Sequence, residues 1–298
     1  MAGPEAASTV SLGLYPRPTV RRLPGLAVVT TLAAASLASA GQGPLLHQEG
    51  PLPTRGITVT ARSAIVVDGS MGKVLWAKKA RFRRPIASTT KIMTAVVAME
   101  HLGAHAVVTI DRSVRRVPPF TEGLRPGEKV EAWKLFYGLL LYSGNDDALA
   151  LAIAAGRTRS KFVALMNKKA HALGLSDSHF RSPSGLLDRD NYSSAWDLAA
   201  LTRYALWNHR FRAVVRTRVK HVPWSPPIGE KIYVNKNHLL GSYPGADGVK
   251  SGWTTIAKHC LVASARRDGV HLIVVVLGAD DSYGDATKLL DWGFASRG

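Results

Sequence analysis

A serine and a lysine three residues apart stand at the start of an apolar segment near residue 90. Ser88 and Lys91 belong to the stretch PIASTTKIMTA, and the apolar residues after Lys91 recur at helical spacing. Pro85 disfavours helix at the residue before it, so we predict a helix over 88–102. Positions i and i+3 share one helix face, which brings the Ser88 hydroxyl within reach of the Lys91 amine. This is the pairing that a serine nucleophile needs if lysine is its base.

The same spacing occurs a second time, at Ser70 and Lys73. That copy lies in the glycine-rich stretch DGSMG between two strand-like runs, where serine favours local hydrogen bonds to the backbone. We therefore interpret Ser70 as part of a turn and Ser88 as the candidate nucleophile.

A polar break, SGNDD, separates two apolar helical segments further along the chain. Ser143 and Asn145 lie two residues apart, so an extended break would point both side chains into one cleft. Asp146 or Asp147 is predicted to cap the helix that follows, because aspartate is favoured at helix N-termini.

A third polar group, the stretch GVKSGWT, is predicted to be a short strand over 248–254. Lys250 places a positive charge where an anionic group or a developing oxyanion could lie, and Ser251 adds a hydroxyl. Gly252 allows the backbone to approach a ligand closely, next to Trp253.

The composition is that of a globular protein of 298 residues with 46% hydrophobic residues, 20% charged residues and a net charge of +18. So basic a surface suits anionic wall polymers, anionic lipid or nucleic acid. The basic residues are spread along the chain without stacked aromatics, so we expect no nucleic-acid partner. Cys260 is the single cysteine, which excludes an internal disulfide and a thiolate metal cluster, and its strand context predicts a buried core residue.

Metal or cofactor chemistry is not indicated by the histidines. His101 and His105 have the i, i+4 spacing of a zinc pair, but Gly103 lies between them at the predicted helix end. No adjacent glutamate completes the metalloprotease motif. We expect no metal and no cofactor.

The N-terminus has the layout of a secretory signal. Arg17, Arg21 and Arg22 precede an uncharged run over 23–40 that ends in ASA. We predict export with cleavage after about Ala40, the alternative being an uncleaved anchor, for which the run is marginal in length. Whether Arg21 and Arg22 form a twin-arginine signal stays open. The predicted organisation is a signal over 1–40, a flexible mature N-terminus over 41–56 and one domain over 57–298.

Strands are predicted near both ends of the domain, with helices between them. Predicted extended segments are 57–67, 73–77, 107–117, 213–222, 232–234, 248–254, 260–266 and 270–277. Predicted helices are 88–102, 130–142, 148–155, 161–173, a helix within 191–206 capped by Ser193 or Ser194, and 285–295. This order predicts an α+β fold whose sheet is completed by both chain ends, with an inserted helical region.

The three polar groups follow the order Ser-x-x-Lys, Ser-x-Asn and Lys-Ser-Gly, which characterises penicillin-binding proteins and class A β-lactamases. The chain from about Ile57 to Phe294 resembles the D-alanyl-D-alanine carboxypeptidases of the low-molecular-weight penicillin-binding type. Further matching stretches are FV and MN within 162–167, LGL at 173–175, GL at 185–186, NKNHLL at 235–240 and LLDWGF at 289–294. The resemblance implies a β-lactamase/transpeptidase-like fold: an antiparallel sheet from both chain ends flanked by helices, with an inserted helical subdomain.

The resemblance also implies an acyl-enzyme mechanism. Ser88 would attack a terminal D-Ala-D-Ala bond of a peptidoglycan stem peptide, and neutral Lys91 would take its proton. Ser143 would relay a proton to the leaving amine, while Asn145 would orient Lys91 and the substrate amide. Burial and the nearby Lys250 cation would lower the pKa of Lys91.

Substrate binding is implied for the third group. Lys250 and Ser251 would hold the terminal carboxylate, and Gly252 would let the strand approach closely. The backbone N–H groups of Ser88 and Trp253 would form the oxyanion hole. β-Lactams would acylate Ser88 in the same way, and the resulting ester would be hydrolysed slowly.

Three departures from the family pattern bear on the activity. Ser251 replaces the usual threonine, and Trp253 stands where many relatives carry a smaller or imidazole side chain. Many relatives also place an arginine in the loop after the last strand, whereas residues 280–285 read DDSYGD. The missing arginine favours the alternative of a D,D-endopeptidase that cuts peptidoglycan cross-links.

Two further alternatives have less in the sequence to support them. A β-lactamase needs a glutamate poised for deacylation, and the stretch 183–191 offers only Asp188 and Asp190. A non-catalytic wall-binding protein would use the basic charge to hold anionic polymer, but the three motifs are complete.

Overall fold

The computed structural model describes residues 45–52, 57–186 and 190–297. The predicted signal over 1–40 lies outside the described residues, as do 41–44 and 53–56 of the segment predicted to be flexible. Within the described ranges, no helix has the length and apolar character needed to cross a membrane.

A five-stranded antiparallel sheet forms the centre of the domain. In spatial order its strands are β2 (Val74–Lys78), β1 (Ser63–Asp68), β11 (Val270–Ala279), β10 (Lys258–Arg267) and β9 (Ala246–Thr254). Short two-stranded pairs are β3 (Arg84–Pro85) with β6 (Tyr192–Ser193), β4 (Val107–Thr109) with β5 (Lys129–Glu131), and β7 (Val219–Pro223) with β8 (Glu230–Val234).

Seven α-helices accompany the sheet in the described part of the chain. They are α1 (Lys91–His101), α2 (Ala132–Tyr137), α3 (Asn145–Gly156), α4 (Arg159–Ala172), α5 (Ala195–Trp207), α6 (His209–Val215) and α7 (Ser282–Ala295). The first six come between β2 and β9 in the chain, which agrees with the predicted inserted helical region.

The two ends of the domain meet in the middle of the sheet. β1 pairs antiparallel with β11, and Ser63 lies opposite Leu277. The predicted α+β fold, with a sheet completed by both chain ends, is therefore confirmed.

Both faces of the sheet are buried. Successive side chains of a strand point to opposite faces, and in β1 each set lies in a separate core. Ile65 and Val67 of β1 join the larger core, which includes residues of α1, α3 and α5. Ala64 and Val66 join a smaller core, which is closed by residues of α7. Burial on both sides makes the sheet a rigid support for β9 at its edge.

The segment 213–222, predicted to be a strand, divides into the end of α6 and the strand β7. The side chain of Asn208 accepts hydrogen bonds from the backbone of Arg210 and Phe211, which starts α6. Val214 and Val215 are buried against the core in this short helix. Their β-branched pattern predicted a strand, but capping and burial decide the conformation.

Within the segment 107–117, only β4 is a strand. The Asp111 side chain accepts a hydrogen bond from the Ser113 backbone and begins a 3₁₀ turn over Arg112–Arg116. The predicted helix over 130–142 is also shorter, because its first residues pair with β4 as β5. After α2 the chain widens into a π-helical turn over Gly138–Tyr142.

Part of the segment predicted to be flexible is anchored to the domain. Leu46 is buried in the larger core. His47 forms a parallel bridge with Lys73 at the start of the β2 region. Residues 45–47 therefore add to the edge of the sheet beside β2.

Candidate active site

The nucleophile segment forms a 3₁₀ turn, Ala87–Thr90, directly before α1. Side chains three residues apart eclipse one another in such a turn, so Ser88 and Lys91 lie one above the other. The Lys91 Nζ donates to the Ser88 Oγ over 3.1 Å. The predicted contact is present, and it results from a tighter turn than the α-helix expected from the sequence.

Lys91 is fully buried, and three acceptors surround its amine. Besides Ser88, the amine donates to Asn145 Oδ1 over 2.8 Å and to the Ser184 carbonyl over 3.2 Å. Burial lowers the pKa of Lys91 to about 7, and the charge of Lys236 acts in the same direction. A buried amine that is half neutral near pH 7 can accept the Ser88 proton.

The second motif is held by an unusual turn. Ser143 has left-handed backbone geometry, with φ of 73°, at the end of the π-helical turn. The N–H groups of Ser143 and Gly144 both donate to the Gly138 carbonyl. This turn places Ser143 on the wall of a cleft shared with Ser88 and Asn145.

Asn145 is the first residue of α3, and the orientation of its side-chain amide is fixed from both sides. Its Oδ1 accepts from Lys91, while its Nδ2 donates to the Pro119 carbonyl over 2.6 Å. Its backbone N–H donates to the Phe120 carbonyl over 2.9 Å. Asn145 thus joins the loop before it to the lysine.

The predicted helix cap at Asp146 or Asp147 is wrong. The N-cap of α3 is Gly144, and no side chain caps the helix there. Asp146 accepts instead from the backbone N–H groups of Glu122, Gly123 and Leu124 in the facing loop. Asp147 points into the interior and is fully buried.

The third motif lies on β9, the edge strand of the main sheet. A Cβ built on Gly252 would lie 2.7 Å from the Ser88 backbone nitrogen, so only glycine fits there without a shift of the turn. The edge position leaves a row of β9 backbone groups free of sheet partners. Trp253 lies beside this contact, its side chain half exposed and near the His259 ring.

Lys250 is buried in β9, and its amine donates to the Ser251 carbonyl over 2.8 Å. Burial, followed by the charges of Lys91 and Lys236, lowers the pKa of Lys250 well below its ordinary value. The sequence predicted that the Lys250 charge lowers the pKa of Lys91. In the structure the Lys236 charge lowers it, and the charges of Lys91 and Lys236 lower the pKa of Lys250.

The cleft has a volume of about 200 Å³ and contains seven of the eight predicted site residues on its wall. They are Ser88, Ser143, Asn145, Lys250, Ser251, Gly252 and Trp253. The eighth, Lys91, is buried behind Ser88. A larger cavity of about 640 Å³ adjoins the site and shares Asn145 and Leu186 with it.

Several wall residues were not predicted as site residues. Lys236 lies over the rings of Tyr142 and Phe120, at 4.4 and 5.2 Å, and burial lowers its pKa. Tyr283 donates its hydroxyl to the Lys236 carbonyl over 2.7 Å. Lys236 belongs to the stretch NKNHLL that carried part of the family resemblance, which was the available signal; Tyr283 is in the loop noted for its missing arginine.

Ser70, the other serine in the same spacing, is exposed in the turn after β1. The backbone N–H groups of Ser70 and Met71 donate to Asp68 Oδ1, and Lys73 pairs with Glu49 on the surface. The turn interpretation is confirmed.

Cys260 is buried as predicted, and burial raises the pKa of its thiol to about 11. His101 contacts the Val97 carbonyl, and His105 contacts Glu131. Within 45–52, 57–186 and 190–297, no group of three or more metal-ligating side chains is placed to hold a metal ion.

A family model described as D-alanyl-D-alanine carboxypeptidase matches residues 49–281. The chain belongs to the D-alanyl-D-alanine carboxypeptidase family. It is 36% identical over 288 residues to the D-alanyl-D-alanine carboxypeptidase of Streptomyces sp. strain K15, covering 90% of this chain and 97% of that protein. It is 34% identical over 245 residues to DacF of Bacillus subtilis, covering 79% of this chain but 62% of that protein.

Solved structures of this carboxypeptidase family have the same fold. The crystal structure of the Streptomyces K15 DD-transpeptidase has a TM-score of 0.76 and 35% identity, and the match covers 81% of this chain and 99% of that chain. The D-alanyl-D-alanine carboxypeptidase from Mycobacterium tuberculosis H37Rv has a TM-score of 0.77 and 33% identity, covering 83% and 96%.

Proposed function

We propose that this protein is a serine-type D-Ala-D-Ala carboxypeptidase that trims peptidoglycan stem peptides and is acylated by β-lactams. The observation that carries the proposal is a buried lysine with a pKa of about 7, placed 3.1 Å from a serine hydroxyl that faces a cleft. Membership of the family gives the substrate class.

In the proposed acylation, neutral Lys91 takes the proton of Ser88 as the Ser88 Oγ forms a bond to the carbonyl carbon of the penultimate D-Ala. The amide C–N bond then breaks, and the amine of the terminal D-Ala leaves with a proton delivered through Ser143. Asn145 keeps the Lys91 amine aimed at Ser88 throughout. Attack of water on the ester releases the shortened stem peptide and regenerates Ser88.

The third motif is proposed to bind the reacting groups. The close approach of Gly252 to the Ser88 backbone supports an oxyanion site made by the N–H groups of Ser88 and Trp253, worth about 3 kcal/mol per donor. Lys250 and Ser251 would take the terminal carboxylate. Lys236 adds a second amine on the same wall.

A D,D-endopeptidase is the second candidate, and one observation favours it. No arginine is among the described residues that line the cleft, and the position after β11 presents Ser282 and Tyr283 instead. Weaker recognition of the terminal D-Ala carboxylate would suit a cross-link, which has no terminal D-Ala at the scissile bond. The K15 relative is named both a carboxypeptidase and a DD-transpeptidase, so product analysis should also include an amine acceptor.

A β-lactamase has little support from the site. Asp188 lies outside the described residues, and Asp190 is exposed and pairs with Arg181 over 3.6 Å. We therefore propose slow rather than rapid release of the penicilloyl ester.

We further propose that the protein is exported and acts in the cell envelope. The support is the sequence of the leader, with basic residues before an apolar run and cleavage after about Ala40. The net charge of +18 supports contact with anionic wall polymers.

The deciding experiment is labelling with a fluorescent penicillin. We expect covalent label on the wild type and on Ser70→Ala, which loses the serine of the other Ser-x-x-Lys copy, and none on Ser88→Ala. Label that persists on Ser88→Ala would remove Ser88 as the nucleophile.

The absence of label on folded wild type would favour a non-catalytic wall-binding protein. Once label is seen, incubation with a pentapeptide and with a cross-linked dimer separates the carboxypeptidase from the endopeptidase. We expect free D-Ala from the pentapeptide.

A further inference from the structure

Asp147 has no partner that explains its place in the interior. It is fully buried, and a carboxylate can only accept hydrogen bonds, yet neither of its oxygens has a donor among the described residues. Both oxygens lie against glycine backbone. A Cβ added to Gly138 would be 2.3 Å from Oδ1, and one added to Gly144 would be 1.9 Å from Oδ2. The carboxyl group therefore packs tightly against the turn that carries Ser143.

The group that faces Asp147 is a second carboxyl, that of Glu122. The two side chains lie within hydrogen-bonding reach of each other. Glu122 Oε2 accepts from the Tyr233 hydroxyl and lies 3.6 Å from the Lys231 amine, whereas Oε1 is buried without a donor. Three elements meet at this pair: the loop before β5, the first turn of α3, and β8.

A single proton between the two carboxyls accounts for the geometry. Two ionised carboxylates in contact in the interior repel each other, and a shared proton removes this repulsion while supplying the missing donor. Burial, then the charges of Glu122 and Asp146, raise the pKa of Asp147 well above its ordinary value. Burial also raises the pKa of Glu122, which keeps Tyr233 and Lys231 as partners suited to an ionised acceptor.

We propose that Asp147 is a protonated acid that donates to Glu122, and that this pair is a positioning element of the active site. It fixes the loop 118–124 against the start of α3. The same loop supplies the Pro119 and Phe120 carbonyls that hold Asn145, and Asn145 holds Lys91. The role in catalysis rests on the proposed function, whereas the shared proton does not.

The competing explanation is that Asp147 is ionised and acts on Lys91 through its charge. An ionised Asp147 would raise the Lys91 pKa, and Asp146, its neighbour in α3, would act in the same direction. Two positive charges act in the opposite direction: Lys231 on β8 lowers the pKa of Asp147, and Lys236, which follows β8, lowers the pKa of Lys91. The two explanations differ in what an uncharged, hydrogen-bonding replacement should do.

Asp147→Asn is that replacement, since its amide can donate to Glu122 as the protonated acid does. We expect penicillin acylation of Asp147→Asn within about threefold of wild type, with the acidic limb of the pH profile unmoved. Asp147→Ala removes the donor, and we expect acylation to fall roughly tenfold or more through displacement of Asn145 and Lys91. An acidic limb that moves to lower pH in Asp147→Asn would show an ionised Asp147 and overturn the proposal.

Asp197→Ala is the matched control, because Asp197 is also a buried aspartate in the first turn of a helix. It accepts from the Ser178 hydroxyl and the Asp177 backbone, outside the cleft. We expect it to lower the melting temperature while the folded protein acylates at the wild-type rate. An equal loss of acylation in Asp147→Ala and Asp197→Ala would assign Asp147 a merely structural role and overturn the positioning proposal.

The proton itself can be observed without catalysis. In protein labelled with ¹³C at aspartate carboxyls, we expect one resonance at the position of a protonated acid at pH 7, missing from Asp147→Asn. Its absence in folded wild type overturns the proposal even if Asp147→Ala fails to fold. A protein that shows this resonance but takes no penicillin would contradict the proposed function and leave the shared proton standing.

Discussion

Lys91 illustrates how much of the chemistry depends on the surroundings of one side chain. Ser-x-x-Lys spacing predicted the contact with Ser88, because i and i+3 positions share a face. The family resemblance implied a lowered pKa, but the spacing alone could not predict it, because burial in the interior and the approach of Lys236 come from segments far away in the chain. The same limit applies to Asp147, whose predicted cap role came from helix statistics and whose actual partner is on another loop.

The Lys91 pKa predicts the pH dependence of acylation. Neutral Lys91 accepts the Ser88 proton, so the rate of acylation by penicillin should rise with pH through about 7 and then level off. The Lys236 charge lowers the Lys91 pKa, so Lys236→Met should raise that pKa. The acidic limb of the profile of acylation rate against pH should then move to higher pH. Stopped-flow acylation across pH measures both.

Lys288→Met is the control, since Lys288 is exposed on α7 and its loss changes the net charge equally. A limb at the same pH in Lys236→Met and wild type would contradict the influence of Lys236 on Lys91.

Lys250 predicts a proton change on substrate binding. Its pKa is lowered well below the ordinary value in the open cleft, and a substrate carboxylate beside it would raise that pKa again. Binding should therefore take up protons over the pH range in which Lys250 is partly neutral in the free enzyme. Calorimetry of Ser88→Ala with a D-Ala-D-Ala peptide, in buffers of different ionisation enthalpy, measures the number of protons. A peptide with an amidated C-terminus should show less uptake, and equal uptake by the two peptides would remove Lys250 from carboxylate binding.

At the scale of elements, the site is made where a helix turn touches a strand edge. The 3₁₀ turn Ala87–Thr90 and β9 approach so closely that the contact depends on Gly252. The sequence identified both segments through their motifs. The family resemblance implied that they meet at an oxyanion hole, but the residues alone could not place them in contact, because that depends on the registers of β9, β10 and β11 in the sheet.

Gly252→Ala tests the contact between the turn and β9. A Cβ at 2.7 Å from the Ser88 nitrogen meets backbone, so the turn or the strand must shift. Displacement of about 1 Å at reacting groups costs on the order of a hundredfold, and we expect penicillin acylation to fall by that order while the circular dichroism spectrum is retained.

Gly103→Ala adds the same methyl group where a Cβ would meet nothing within 4 Å. Acylation by this control should equal that of wild type. Normal acylation by Gly252→Ala would show that the strand does not fix the Ser88 turn.

Segments that carry none of the three active-site motifs were predicted least well. The α6 segment has the β-branched residues of a strand, and its helical conformation follows from the Asn208 cap and from burial of Phe211, Val214 and Val215. Loops gave no periodic signal, so the contribution of Phe120 to the cleft wall was not foreseen. By contrast, β10, β11 and α7 followed from apolar runs that the structure buries.

For the whole molecule, the sequence predicted the sheet that both ends of the domain complete and the excess of positive charge. Two of the basic residues that precede Ser88 in the sequence contact the protein itself: Arg81 lies over the Trp196 ring, and Arg83 pairs with Asp177. These two side chains are therefore held by the protein and do not line the cleft.

The net charge predicts salt-dependent contact with anionic wall polymer. The Debye screening length shortens from about 10 Å at 0.1 M salt to about 3 Å at 1 M salt. Co-sedimentation of Ser88→Ala with polymer-bearing wall should therefore fall steeply over that range. Wall stripped of anionic polymer is the control and should retain little protein. Equal retention by stripped wall, or at high salt, would show that charge does not govern the contact.

The pairing of β1 with β11 has a consequence for how the protein comes into being. β1 is made early, and its partner is added roughly 200 residues later. β9, which completes the Ser88 turn, also belongs to that late part of the chain. Contacts so distant in sequence form late in folding. A nascent chain that still lacks β9 also lacks the strand against which the Ser88 turn packs, and we expect its serine to become reactive only after the last strands are made.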